Sequence, residues 1–79
     1  MNIEVELFYD FVKHLPHGSK NRKCSLTLRE GSTIQELLDI LGLPPKIPKI
    51  ILVNGVRPQD GRRLQGNDVV AIFPPIAGG

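Results

Sequence analysis

Polar and apolar residues alternate from the first positions of the chain. Asn2-Ile3-Glu4-Val5-Glu6-Leu7 places Ile3, Val5 and Leu7 on one side, the pattern of a strand with one wet face. Asp10 to Leu15, with Phe11, Val12 and Leu15 apolar, predicts a short helical turn that Pro16 ends. A polar loop follows over His17-Gly18-Ser19-Lys20-Asn21. Alternation then resumes at Cys24-Ser25-Leu26-Thr27-Leu28, a second strand with Cys24, Leu26 and Leu28 inward. The period next changes from two residues to between three and four. Ile34, Leu37, Leu38 and Leu41 form one helical stripe, and Ser32 with Gln35 matches a capping box at its start. Gly42 is placed to end the helix, and Pro44-Pro45 cannot continue it.

The second half of the chain is punctuated by turns. Ile50-Ile51-Leu52-Val53 is a short apolar run, and Asn54-Gly55 is a hairpin signal. Val56-Arg57 would begin a return strand, cut short by Pro58. Gln59-Asp60-Gly61 and Gly66-Asn67-Asp68 read as further turns around Leu64, a core anchor. The last strand, Val69-Val70-Ala71-Ile72-Phe73, is apolar on both faces. Placing the branched Val70 and Ile72 inward leaves Ala71 and Phe73 outward, and the same phase turns Ile51 and Val53 inward and Leu52 outward. Leu52, Ala71 and Phe73 would then make an exposed apolar patch, a docking surface. The competing account is that Phe73 closes the bottom of the core. The order of elements predicts an α+β domain, a mixed sheet of four to five strands with one helix across it.

Composition narrows the functional classes. The 79 residues suffice for one domain, and 41% hydrophobic with 23% charged residues is ordinary for a globular chain. A single cysteine, Cys24, rules out an internal disulfide and fits a reducing cytoplasm. No apolar stretch approaches the roughly 20 residues that span a bilayer, and no basic-then-apolar leader opens the chain. The net charge is +2, with basic clusters at Lys20, Arg22 and Lys23, at Lys46 and Lys49, and at Arg62 and Arg63. Aromatic residues for stacking on bases are few, so solvated loops account for these charges better than nucleic acid does. A lesser alternative is that one cluster steers the chain onto an acidic partner.

The candidate chemistry lies at the end. Phe73-Pro74-Pro75-Ile76-Ala77-Gly78-Gly79 follows the last strand with residues that cannot build a sheet interior or bury a side chain. Such an end makes sense if its terminal carboxylate is the working group. Residues 1–73 are then the globular domain and 74–79 a flexible tail. His14-Leu15-Pro16-His17 has an H-x-x-H spacing, but proline between two ligands makes a poor zinc site, and loop histidines are the better account. Cys24 falls on the inward phase as a small core residue, not a sulfur-bearing thiol. No serine or cysteine has a recognisable base beside it, so autonomous catalysis is not expected.

The tail, the Leu7-Phe8 end of the first strand, Glu30-Gly31-Ser32-Thr33-Ile34, Val53-Asn54-Gly55 and Gly66-Asn67-Asp68-Val69-Val70 together resemble the MoaD/ThiS sulfur-carrier family. The resemblance covers essentially the whole chain and implies a β-grasp, ubiquitin-like fold. Phe-Pro-Pro before the glycines resembles the molybdopterin-synthase small-subunit branch more than the thiazole-forming branch, whereas the longer loop from Asp10 to Arg22 resembles other members. The family implies that an E1-like enzyme adenylates the carboxylate of Gly79 with ATP, and that sulfur then replaces the adenylate. The resulting thiocarboxylate serves a larger partner, the large molybdopterin-synthase subunit or another sulfur-accepting enzyme. Gly78 would let the backbone enter a narrow channel, and Phe73, Pro74, Pro75, Ile76 and Ala77 with Leu52 and Ala71 would bind the partner. A free α-carboxylate, with an ordinary pKa of about 3.3–3.7, is ionised at neutral pH and needs no base on this chain. From Pro74 to Gly79 the extended reach is roughly 20 Å. No cofactor, metal, nucleic acid or membrane is implied for the chain itself. Alternatives are a carrier for thiazole, tRNA thiolation or cysteine synthesis, a ubiquitin-like modifier, and a plain binding module.

Overall fold

The computed structural model describes residues 1–16 and 18–75. Four strands, one 3-10 helix and one α-helix follow in the order β1 (Asn2–Leu7), 3-10 helix (Tyr9–His14), β2 (Lys23–Thr27), α1 (Ile34–Leu41), β3 (Ile50–Val53) and β4 (Val69–Phe73). The sheet order is β2-β1-β4-β3. β1 runs antiparallel to β2 and parallel to β4, and β3 runs antiparallel to β4. The first and last strands are therefore the two central ones, in a mixed sheet with one helix: a β-grasp fold.

Each strand buries the side that its alternation assigns to the core. Ile3, Val5 and Leu7 of β1, Val70 and Ile72 of β4, and Val53 of β3 are buried, with Cys24, Leu26 and Ile51 packed against them. Leu37, Leu38 and Leu41 of the helix close this core from one side, joined by Phe11, Leu28, Leu43 and Leu64. The α1 stripe is complete, since the half-buried Ile34 also packs on the cluster.

The helix start is one residue later than the Ser32–Gln35 capping box would set it. Thr33 is the cap: its Oγ1 accepts from the Glu36 N–H, and the Glu36 carboxylate accepts from the Thr33 N–H. Ser32 is committed elsewhere. It is buried, its hydroxyl donates to the Arg29 carbonyl at 2.8 Å, and its own carbonyl accepts from the Leu64 N–H at 2.8 Å. At the other end Gly42 takes φ 75, and its N–H donates to Asp39 O. The Leu43 N–H reaches Leu38 O at 3.0 Å, closing a Schellman motif that carries Leu43 into the core.

The predicted return strand after Asn54-Gly55 reduces to one bridging residue. Val53 and Val56 exchange N–H···O bonds of 2.8 and 3.2 Å, but Val56 is exposed and Pro58 follows too soon for a ladder. The chain beyond it folds through the Gln59 to Gly61 turn and returns to the sheet at β4. Among the described residues no helix is long and apolar enough to cross a membrane.

Candidate functional site

The site is built on the outer face of the sheet, where β4 hands over to the tail. In register, Leu52 of β3 lies beside Ala71 of β4, Ala71 beside Glu6 of β1, and Glu6 beside Lys23 of β2. Phe73 lies beside Ile50. Cross-strand neighbours share a face, so the outer face is apolar over β3 and β4 and charged over β1 and β2. The phase expected for the last strand holds: Val70 and Ile72 are fully buried, while Ala71, Phe73 and Leu52 are half-buried on the other side.

Phe73 neither stands free nor closes the core. The Phe8 N–H donates to Ile72 O at 3.2 Å, extending the β1–β4 pairing by one residue, and this brings the two rings together. Phe8 meets Phe73 edge to face, centroids 5.6 Å apart and planes at 88°. The Arg22 guanidinium carbon lies 5.7 Å from the centroid of the Phe8 ring, a cation over an aromatic face. Pro74 is half-buried and Pro75 exposed. The two prolines line a groove of about 540 Å³ together with Phe11, His14, Ile47 and Pro48. Ile76, Ala77, Gly78 and Gly79 lie outside the described residues, as does His17 of the H-x-x-H spacing. His14 itself packs edge-on to Phe11, with ring centroids 6.4 Å apart.

A polar cluster that the sequence does not announce anchors the start of β4. Asp68 is buried, and its carboxylate accepts from Arg62 Nη1 at 2.9 Å, from Asn54 Nδ2 at 2.9 Å and from the Gln65 N–H at 2.8 Å. Asn54 Oδ1 accepts from the Val69 N–H at 2.9 Å. Asn54, 14 residues away, and Arg62, 6 away, thus meet on one carboxylate that also closes its own turn through Gln65, and neither turn signals the meeting. The hydrogen bonds from Arg62 hold the Asp68 carboxyl down to about 2, against the burial that would raise it; Gln65, Asn54 and the Arg62 charge add to the lowering. The cluster fixes the register of the strand whose far end becomes the tail.

Cys24 is half-buried, and burial pushes its thiol pKa up, against a smaller lowering by Ser19. A raised thiol pKa disfavours the thiolate that sulfur chemistry would need. Cys24 belongs with the core. Of the sequence-predicted residues, the structure brings Leu52, Ala71 and Phe73 onto one face, while Pro74 and Pro75 follow Phe73 into the groove beside Phe11. Those it adds to the site are Phe8, which the sequence marks only as the end of the first strand, and Arg22, which it marks only as a member of a basic cluster.

Comparison with known proteins agrees with this geometry. The ThiS family model matches residues 18–79, most of the chain, and the chain belongs to the ThiS family. No curated protein matches it in sequence. Among solved structures it is similar to SAMP1, small archaeal modifier protein 1 of Haloferax volcanii, with TM-score 0.72 and 24% identity over all of both chains. A putative molybdopterin converting factor subunit 1 from Pyrococcus furiosus gives 0.68 and 22%, over 95% of this chain and 98% of that one. Subunit 1 in the complex of subunits 1 and 2 of the molybdopterin-converting factor from Helicobacter pylori gives 0.64 and 21%, over all of both chains.

Proposed function

We propose that this chain is a sulfur carrier whose Gly79 carboxylate is activated by an E1-like enzyme and then spent as a thiocarboxylate. The carboxylate oxygen attacks the α-phosphorus of ATP, releasing pyrophosphate and leaving an acyl-adenylate. A sulfide nucleophile then displaces AMP, so that a carbon–sulfur bond replaces the carbon–oxygen bond and a proton is released. Gly79 has no β-carbon to hinder approach, and Gly78 admits dihedrals that other residues avoid. Pro74-Pro75 stiffens the exit and reduces the entropy lost on threading the tail into a partner.

The observation that carries the proposal is the continuity of the apolar outer face with the root of the tail. Leu52, Ala71, Phe73 and Phe8 present a surface that a partner can cover while the tail enters its channel. The sink we favour is a pterin precursor held by the large subunit of a molybdopterin synthase. Phe73-Pro74-Pro75 before the glycines supports it, as does a neighbouring structure solved as a two-subunit complex. A second reading, a ubiquitin-like modifier joined through Gly79 to lysines, draws on the likeness to the archaeal modifier. Intact-mass analysis after incubation with the adenylating enzyme, ATP and sulfide separates them. One terminal oxygen exchanged for sulfur, and no exchange once Gly79 is deleted, is the expected result. Recovery only of lysine-linked conjugates would favour the modifier, and an unaltered terminus would remove both.

A further inference from the structure

We infer that the Lys20–Lys23 turn is the electrostatic half of the docking face. In it the Arg22 guanidinium, held over Phe8, pairs with carboxylates that the adenylating enzyme presents beside its apolar pocket. The inference rests on the carrier reading above and names what its first partner must look like.

Three observations carry it. The first is a conflict between residue and backbone. Asn21 and Arg22 form a two-residue loop closed by the Lys23 N–H on Lys20 O at 2.9 Å, with φ of 54 and 63. Asparagine tolerates the left-handed region, but at the second position glycine is the unstrained choice, and a long branched cation there is costly. Arginine at such a place breaks a local rule, and such breaks are expected where a side chain serves function.

The second is placement. The Arg22 carbonyl accepts from the Leu7 N–H at 2.9 Å, which fastens the turn to the end of β1. The side chain then lies over Phe8, and Phe8 lies against Phe73, at the foot of the tail. The exposed Arg22 donates no side-chain hydrogen bond among the described residues, which leaves its guanidinium N–H groups to a bidentate carboxylate. Cation, apolar patch and tail root thus form one surface, and a partner that covers the patch also meets the charge.

The third is availability. The other named basic clusters are largely committed within the chain. Arg62 pairs with Asp68, Arg63 donates to Gly31 O at 2.7 Å, and Lys49 donates to Pro44 O and Ile47 O. Lys20, Arg22 and Lys23 are exposed, and among the described residues the one ion pair is Arg62–Asp68. Glu6, beside Lys23 in register, lies at the inner border of the turn and offsets part of Lys23. Lys20 and Arg22 carry the outward charge.

The test measures pyrophosphate release by the purified cognate adenylating enzyme at low and moderate salt. The substrates are the full chain, Arg22→Gly, Arg22→Lys, and a triple variant with Lys20→Glu, Arg22→Glu and Lys23→Glu. Arg22→Gly should raise KM about threefold at unchanged kcat and without lowering Tm, since glycine relieves the backbone. The triple variant should raise KM roughly tenfold or more, and salt, which weakens the wild-type reaction, should no longer do so. Arg22→Lys should fall between, keeping the salt dependence but losing the fork. A wild-type KM for Arg22→Gly, or a Tm that falls in step with the KM increase, would overturn the inference while leaving the carrier reading intact. Absence of pyrophosphate release from the wild-type chain would overturn both.

Discussion

The molecule makes the same tight turn twice, with opposite purposes. Asn21-Arg22 and Asn54-Gly55 are each two-residue loops with both φ values positive, 54 and 63 in the first, 53 and 86 in the second. The second follows the backbone's preference, asparagine then glycine, and its asparagine side chain is turned inward, bonded to Asp68 and to the Val69 N–H. The first breaks the preference at its second position and holds the offending side chain over Phe8. One loop is chosen for conformation and supports the start of β4. The other is chosen for a functional group and borders the end of β4. Comparing them separates what the fold needs from what a partner needs.

Substitutions graded by effect sharpen that contrast. The largest loss of stability is expected for Asp68→Ala, which strips partners from Asn54, Arg62 and the Gln65 N–H around a buried site. With the Arg62 side chain 28% exposed, part of the loss is made good by water. The expected cost is about 2–3 kcal/mol, a fall in Tm of roughly 10–20 °C by calorimetry. The same carboxylate makes wild-type stability depend on pH. Its pKa is lowered from 3.8 unfolded to about 2 folded, so its contribution is whole above about pH 4 and is lost as pH falls through 2. That contribution is about 2 kcal/mol, and Asp68→Asn should flatten the acid limb of a denaturation series.

Asn54→Ala comes next, at about 1–2 kcal/mol, because it removes both inward bonds and a residue suited to positive φ. Gly55→Ala should cost about 1 kcal/mol from backbone strain alone, since a β-carbon there would meet nothing within 4 Å. Arg22→Gly stands last, within about 0.5 kcal/mol of wild type, as relief of strain offsets the added freedom of the unfolded chain. Urea unfolding of the four variants would rank them. If Arg22→Gly proved as damaging as Asn54→Ala, the two loops would share one role and the contrast drawn between them would fail.

Most of this architecture could be read from periodicity because the core is built from local alternation. Val70 and Ile72 went inward because branched aliphatics fill space between sheet and helix, and that choice fixed the outward side of Ala71 and Phe73. Reading failed where distant segments decide. Ser32-Gln35 and Thr33-Glu36 satisfy the capping pattern equally well. The Leu64 N–H, which occupies the Ser32 carbonyl, selects between them. Leu43 lies beyond the helix stop, and only the Schellman geometry returns it to the core. The Asp68 cluster joins three turns whose own chemistry predicts nothing beyond turns. At the candidate site, the shared outward face of Leu52, Ala71 and Phe73 was legible from the alternation, and Arg22 as one member of a basic cluster. The meeting of Arg22, Phe8 and Phe73 was not, because it depends on how β1 ends beside β4.

The parallel pairing of β1 with β4 has a mechanical side. Any partner that draws on the chain beyond Pro74 loads β4 along its length, and β4 is flanked on both edges by β1 and β3. Inter-strand hydrogen bonds lie across that load, so they resist it in shear, many together, and cannot be unzipped one at a time. A pull on the chain end therefore falls on one of the two central strands of the sheet.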